Sequence, residues 1–475
     1  MKIVLVNPPP YKIQEEYYDI PPYPRTGLAF LAASLRQNNI DVSIIDCKYD
    51  RISHKNAIEE ICRKRPDIVG YTAFTNEIIQ AGRLAEYVKK TLPASKAIIG
   101  GVHATIMPEK TLQEFQAFDY VCVGEGESTI IEFVRFLEKN GIDAKPQSIK
   151  GIAFLDDSNK YVYNGEREKI GIDDKSLDSI PLPAWDMFRP ASEYILHTQR
   201  GCPYNCPFCV NPNGRIVRKE SPEKVISQIK ELYERYNCKK ILFGDEIFTL
   251  DRKRTIAICN WLIESGLHKK IKWWCVTHIN CIDEELAAIM RKAGCYRVGL
   301  GIESGDPERL KKIGKGTSVE KILSVTSGLK HARLPFESYF ILGQPNETEK
   351  SANQTVDFAV KVNADYPVFG IMVPYPGTEI GKMAEAGEGG YTLSAQNWND
   401  YNKQVGDALH FTGVKRKTLE QIQFQGYIKV FLINRRFLNF IKFCWQYKKV
   451  GIVVIKKILS GSKYDLSGRR KGLEQ

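Results

Sequence analysis

Gly201-Cys-Pro-Tyr-Asn-Cys-Pro-Phe-Cys209, which follows the apolar run Tyr194-Ile-Leu196, sets three cysteines in a CxxxCxxC loop. Iron–sulfur clusters take cysteine thiolates, and a four-iron cluster held by three protein sulfurs leaves one iron open to a small molecule. A structural zinc site would need a fourth ligand to close its tetrahedron. The next cysteine downstream is Cys238, and His197 lies upstream on the strand. The loop therefore predicts a [4Fe-4S] cluster on Cys202, Cys206 and Cys209 with one reactive coordination position.

Strand and helix signals alternate downstream of this loop. Strands are expected near 194–198, 239–243, 271–277, 296–301, 337–342 and 367–372, separated by helical stretches such as 223–236, 251–265, 283–293 and 319–331. Barrels of this kind gather active groups at the carboxyl ends of their strands. Those ends carry Phe243-Gly-Asp245-Glu246, Thr277-His278-Ile-Asn280, Gly299-Leu-Gly-Ile-Glu303-Ser304, Phe340-Ile-Leu-Gly343 and Pro374-Tyr-Pro-Gly-Thr378. Any one of these acids reads equally well as an exposed helix-cap carboxylate, but their appearance in order at successive strand ends argues for a site.

The cysteine spacing, Phe208 before the last cysteine and the strand-end segments together closely resemble the radical S-adenosylmethionine (radical SAM) enzymes. The resemblance implies a partial (β/α)6 barrel in which the amino acid end of SAM chelates the open iron. It also implies a SAM-binding set of Phe208, Asp245, Glu246, Glu303, Ser304 and Gly343. In that set the acids after the second strand meet the SAM ammonium, Glu303 holds the ribose hydroxyls or the amino group, and Gly343 lets adenine lie against backbone. Many relatives place an arginine for the SAM carboxylate at the end of the third strand. This chain has His278 there, which leaves Arg215 or Arg297 as the expected cation.

Upstream, the alternation reads strand 2–6, helix 27–38, strand 42–46, helix 54–64, strand 67–72, helix 77–91, strand 96–99, a short helix 109–115, strand 119–123 and helix 127–139. Five buried strands with crossover helices make a doubly wound parallel sheet of the Rossmann or flavodoxin type, with ligands beyond the strands' carboxyl ends. The loops there hold Asn7 and Pro8, Thr75 and Asn76, Gly100, Gly101 and His103, and Gly124-Glu125-Gly126-Glu127. Glycines let backbone approach a ligand closely, and Thr75 and Asn76 offer hydrogen bonds at a helix start. The residues alone indicate a ligand-binding domain.

The order Asn7-Pro-Pro-Pro10, Gly27-Leu-Ala-Phe-Leu31, Gly100-Gly-Val-His-Ala104 and Gly124-Glu-Gly-Glu127, followed by the barrel, looks like the cobalamin-binding radical SAM family, over nearly the whole chain to about residue 400. The loop residues just named are then the expected cobalamin contacts. The D-x-H-x-x-G histidine that binds cobalt from below in other cobalamin domains is missing, since no histidine precedes His54. A base-off corrinoid without a protein imidazole is the implied picture, with His103 a loop or tail contact. A methylthiotransferase would carry a second cluster, but its only candidates, Cys47, Cys62 and Cys122, read better as small buried hydrophobes.

At 475 residues the chain exceeds what a single core fills. The expected domains are 1–145 (cobalamin), 146–190 (connector), 191–400 (barrel) and 401–475 (a basic helical region). The net charge of +12 resides entirely in residues 413–475, where basic residues interleave with aromatic and aliphatic ones. Such a segment suits an anionic membrane surface or a helix packed on the barrel with its lysines in water. Nucleic acid fits poorly, because no binding module is recognisable. Free thiols imply a reducing, cytoplasmic compartment, to which the first of those two alternatives would add peripheral membrane contact. The resemblance implies methylation of an unactivated carbon in a small-molecule or lipid substrate, with electrons from a partner such as flavodoxin or ferredoxin. The alternatives are a radical cyclisation or rearrangement and, from another class, a corrinoid- or redox-sensing binding protein.

Overall fold

A computed structural model describes residues 1–10, 21–402 and 407–446. They form two compact units, one of residues 1–10, 21–203 and 211–240, the other of 204–210, 241–402 and 407–446.

The first unit is built on a sheet of β1 (Lys2–Asn7), β2 (Asp41–Asp46), β3 (Ile68–Thr72), β4 (Lys96–Gly100), β5 (Tyr120–Cys122), β6 (Ile152–Leu155) and β7 (Tyr161–Tyr163), in the order β2-β1-β3-β4-β5-β6-β7. The first five are parallel. Ile3, Val4, Leu5 and Val6 of β1 are all buried, the unbroken apolar run of a strand covered on both faces. Crossovers are made by α1 (Thr26–Gln37), α2 (His54–Lys64), α3 (Ile78–Thr91) and the shorter α4 (Val102–Ile106) and α5 (Pro108–Glu114), and α6 (Gly126–Asn140) follows β5. The chain leaves β1 for β2 on one side and returns to β3 on the other, so a crevice opens at the carboxyl ends of β1 and β3.

The sequence reading expects five strands here, and the structure has seven. Residues 152–163, read as connector, form an antiparallel hairpin that extends the sheet from β5. Asp156 closes its turn by accepting hydrogen bonds from the backbone N–H groups of Ser158 and Lys160, each at 2.9 Å. Further along, β8 (Glu193–Leu196) leads to β9 (Gln199–Arg200), which pairs antiparallel with β10 (Arg218–Lys219) so that Arg200 stands opposite Arg218. Helix α7 (Pro222–Tyr236) follows, capped by the Ser221 hydroxyl.

In the second unit β11 (Lys240–Phe243), β12 (Lys272–Thr277), β13 (Cys295–Glu303), β14 (Phe336–Leu342) and β15 (Tyr366–Ile371) are successive neighbours in one sheet. Strands β12 to β15 run parallel. The barrel reading expects six strands, of which these are five, and the sixth, β8, belongs to the first unit. Helices α8 (Arg252–Glu264), α9 (Glu284–Lys292), α10 (Pro307–Ile313), α11 (Val319–His331) and α12 (Glu349–Val362) alternate with them. After β15 come α13 (Glu379–Ala386), the hairpin of β16 (Tyr391–Leu393) and β17 (Leu409–Phe411), α14 (Arg416–Ile433) and α15 (Phe437–Gln446).

Helix α14 takes the packed alternative for the basic region. Its Gln423 side chain donates to the Phe369 carbonyl at 2.6 Å, its Tyr427 hydroxyl accepts from the Phe369 N–H at 3.2 Å, and Gly426 lets it approach Val356 of α12. The second basic–apolar run, Val450–Leu459, lies outside the described residues. Among the described residues no helix is long and apolar enough to cross a membrane.

Candidate active site

The segment joining β9 to β10 carries the three cysteines. Gly201 has φ +98°, and a Cβ on it would fall 2.3 Å from the Ile216 carbonyl oxygen, so only glycine fits. Beyond it, the Cys202 N–H donates to the Gly214 carbonyl at 3.1 Å, the Asn211 side chain donates to the Cys202 carbonyl at 3.1 Å, and the Cys209 N–H donates to the Cys206 carbonyl at 3.0 Å. Cys202 and Cys206 are half-buried and Cys209 is exposed, whereas Cys47, Cys122, Cys238, Cys259, Cys275 and Cys295 are buried. Burial pushes the thiols of Cys122 and Cys238 up to about 12, so both stay protonated. Cys47 and Cys122 are buried in the core as the sequence reading expects, whereas Cys62 is half-buried. Among the described residues no three His, Cys, Asp or Glu side chains converge where a single ion would sit. A cubane asks for something different, because each thiolate holds a separate iron. Three accessible thiols on one short loop fit that requirement.

In the second unit Tyr204 of this loop stacks on His278 at the end of β12, with centroids 3.9 Å apart and planes 10° apart. The Pro207 carbonyl accepts from the Ile380 N–H at 3.1 Å, and Phe208 packs against the cluster of Met372, Ile380 and Tyr391. Asp245 is fully buried and Glu246 half-buried. Glu303 sits at φ +70° and forms a buried ion pair with Lys315. The Ser304 hydroxyl is used within the fold, accepting from the Asp306 N–H at 3.1 Å and lying 3.3 Å from the Thr355 hydroxyl. At Gly343 a Cβ would fall 2.6 Å from the Phe411 ring, so the close approach expected of adenine is taken by the chain itself. Of the two expected cations, Arg297 pairs with Glu337 at 2.6 Å and lies over Trp274 at the start of β13, away from Glu303 at its end, and Arg215 is exposed. The sequence reading missed Lys315, because Leu310-Lys-Lys-Ile-Gly-Lys315 looks like the solvated, basic end of a helix.

In the first unit Asn7 donates its side-chain N–H to Asp46 at 2.6 Å, and its own buried Oδ1 has no donor among the described residues. Gly124 has φ +85° and nothing within 4 Å of a Cβ position, which leaves open space at the end of β5. Gly101 and Gly126 serve packing, since Cβ atoms there would meet Thr72 and Leu31 at 2.8 and 2.9 Å, while Gly100 is in ordinary contact. Thr75 is buried at its helix start, Asn76 is half-buried, and Pro8 is buried beside Asn7. His103 is 1% exposed, and burial together with the Lys110 charge pushes it down to about 4, so it is neutral.

The two acids of the Gly124–Glu127 loop are committed elsewhere. Glu125 Oε1 lies 2.7 Å from Arg218 and 3.4 Å from Arg200, and its Oε2 accepts from Arg218 at 3.0 Å and from the Ile170 N–H at 2.9 Å. Glu127 pairs with Arg200. Burial alone would raise the Glu125 pKa, but the Arg218 hydrogen bond and the two guanidinium charges bring it below the ordinary value. The unpaired Asn7 oxygen at the switch point and the open space over Gly124 after β5 are features of these loops that would fit a corrinoid.

Two family models match the chain, the B12 binding domain over residues 21–134 and the Radical SAM superfamily over residues 196–359. An uncharacterized methyltransferase of Pyrococcus horikoshii is 33% identical over 444 residues, covering 91% of this chain and 93% of that protein. The chain belongs to the B12-binding radical SAM family. This radical SAM protein is also 29% identical over 393 residues to the anaerobic magnesium-protoporphyrin IX monomethyl ester cyclase of Cereibacter sphaeroides, spanning 80% of the chain and 63% of the cyclase. Its fold is shared with the radical SAM methyltransferase TsrM of Kitasatospora setae, solved with cobalamin and a [4Fe-4S] cluster bound, at a TM-score of 0.73 and 17% identity over 90% of this chain and 91% of that one.

Proposed function

We propose that this protein is a cobalamin-dependent radical SAM methyltransferase that adds a methyl group to an unactivated carbon of a small-molecule or lipid substrate. The observation that carries the reading is the near-complete match to a methyltransferase, running through both the B12-binding and the radical SAM portions. When bound, the cluster supplies an electron to SAM and the corrinoid supplies a methyl group, chemistry that no side chain offers. Cys202, Cys206 and Cys209 hold the cluster, and their accessibility on the loop supports that role. Asp245, Glu246 and Glu303 orient SAM from the strand ends. Asn7 and the backbone at Gly124 receive the corrinoid. A reducing protein such as a flavodoxin or ferredoxin delivers the electron.

The test is anaerobic reconstitution with iron, sulfide and hydroxocobalamin, followed by assay with SAM and reductant. Both 5′-deoxyadenosine and S-adenosylhomocysteine are expected, with corrinoid retained after desalting. The cyclase match motivates a second reading, radical cyclisation, which predicts deoxyadenosine without S-adenosylhomocysteine. Loss of the corrinoid on desalting would refute both.

Helix α15 supports peripheral contact with an anionic membrane. Phe440 and Phe443 of α15 pack toward Phe431 and Tyr427, while Phe437, Leu438 and Ile441 are 55, 75 and 62% exposed, with Arg435 and Lys442 beside them. Replacing Leu438 and Ile441 by glutamate should abolish co-sedimentation with anionic vesicles, and unchanged sedimentation would remove this contact.

A further inference from the structure

A glycine inside a strand weakens it and marks a place where a ligand or another backbone comes close. Gly70, Gly299 and Gly301 are explained by their neighbours, since Cβ atoms there would fall 2.8 Å from Leu5, 2.7 Å from Val276 and 2.6 Å from Glu303 Oε1. Gly370 of β15 is not. Its backbone is not left-handed, and the atom nearest to a Cβ there would be the Phe340 carbonyl oxygen at 3.8 Å, an ordinary contact. Neither conformation nor packing therefore requires a glycine at this position.

The surroundings of Gly370 show what the missing side chain makes room for. Phe340 and Phe369 stack at 5.4 Å on the face that α14 covers, with Tyr427 edge-on to Phe369 at 5.3 Å. Alternation turns Glu337, Tyr339 and Ile341 of β14, and Tyr366, Val368 and Gly370 of β15, to the opposite face, where all six are half-buried. Polar groups on that face gather toward its amino end. Glu337 pairs with Arg297 and accepts from the Tyr339 hydroxyl, while the Tyr339 ring lies over Gly299, 2.8 Å from a Cβ placed there. Beyond Tyr339 the face turns aliphatic. The register sets Gly370 beside Ile341, with Val368 two residues before it. Ile341 and Phe208, the residue before Cys209, pack against one group built on Met372, Ile380 and Tyr391.

A strand glycine offers the space above the sheet only its Cα hydrogens, because its N–H and C=O lie along the sheet. A hydroxyl or a charge laid on such a surface would lose its hydrogen bonds to water without replacement, whereas every CH2 group buried there is stabilised. We propose that Gly370 receives a hydrocarbon part of the substrate, which lies against Ile341 and Val368 beside the cluster loop. This deepens the proposed function by naming the chemistry of the substrate's buried part, and rests on that reading.

The test is equilibrium dialysis of radiolabelled 1-dodecanol against the reconstituted holoprotein, with SAM affinity read in parallel from the electron paramagnetic resonance of the reduced cluster. Gly370→Leu fills the space and should weaken dodecanol binding on the order of 100-fold, and Gly370→Ala about 10-fold. Val368→Thr keeps the shape but adds a hydroxyl, and should weaken it about 5-fold. SAM affinity should keep its wild-type value in all three variants. Dodecanol binding that is absent in wild type, or unchanged in Gly370→Ala and Val368→Thr, would overturn the proposal even if Gly370→Leu did not fold. Equal weakening of dodecanol and SAM would overturn it as well, since it marks general damage. Dodecanol bound as expected by a holoprotein that forms no S-adenosylhomocysteine would refute methyl transfer and leave the hydrocarbon site standing.

Discussion

Two buried ion-pair groups share a composition of glutamates and basic residues but differ in how fully their polar atoms are used. In the first unit both carboxylate oxygens of Glu125 lie against guanidinium nitrogens, and Arg218, whose side chain is wholly buried, also donates to the Ile170 carbonyl at 2.7 Å, while its Nε has no acceptor among the described residues. In the second unit the Lys315–Glu303 pair leaves an ammonium proton, a carboxylate oxygen and His278 Nε2 unmatched among the described residues. The first group matches its carboxylate charges with two guanidinium groups, and the second pairs one carboxylate with one ammonium.

The cysteines offer a parallel contrast, accessible against buried, and give the largest expected effect. Cys206→Ala should reduce bound iron from ~4 per chain to near zero after reconstitution. Cys259→Ala, which alters a buried thiol, should retain iron. Iron analysis decides, and iron retained in Cys206→Ala would break the assignment.

Next in size is the first group. Arg218→Leu strands Glu125 without its main partner and should lower the unfolding free energy by ~3–5 kcal/mol in urea titration. A loss under ~1 kcal/mol, the size of an exposed pair, would break the comparison.

Ligand linkage sharpens the contrast between the two groups. SAM at one hundred times its dissociation constant should stabilise wild-type holoprotein by ~2.7 kcal/mol. At that same concentration the gain should survive in Arg218→Leu and shrink in Glu303→Gln.

The smallest effect is in pH. Because the folded-state pKa of Glu125 is depressed, its stabilising share is complete above the ordinary carboxyl value of ~4.3 and is lost as pH falls through the folded value. The urea midpoint should therefore fall below about pH 4, and less steeply in Glu125→Gln.

Much of this architecture is legible in the sequence. Strand β1 announces itself as a continuous apolar run, and β14 shows the alternation of a strand with two different faces, burying Phe336, Ser338, Phe340 and Leu342. The hairpin of β6 and β7 is hidden, because strands of four and three residues are too short to show a period and Asp156 reads simply as a loop residue. The candidate site is less legible. Glu125 and Glu127 look like ligand contacts in a glycine-rich loop, and their arginines lie 73 to 93 positions away along the chain. Ser304 and Gly343 likewise acquire their structural duties from Thr355 and Phe411, contacts that local sequence cannot reveal.

The ties from Glu125 and Glu127 to Arg200 and Arg218 bear on modularity. A fragment ending near residue 190, where the sequence suggests a clean cut, would discard both arginines and keep both acids. The B12-binding portion is therefore not an interchangeable cassette: a chimera between relatives must carry its own β9–β10 pair along with it, or inherit two buried negative charges with no counterion.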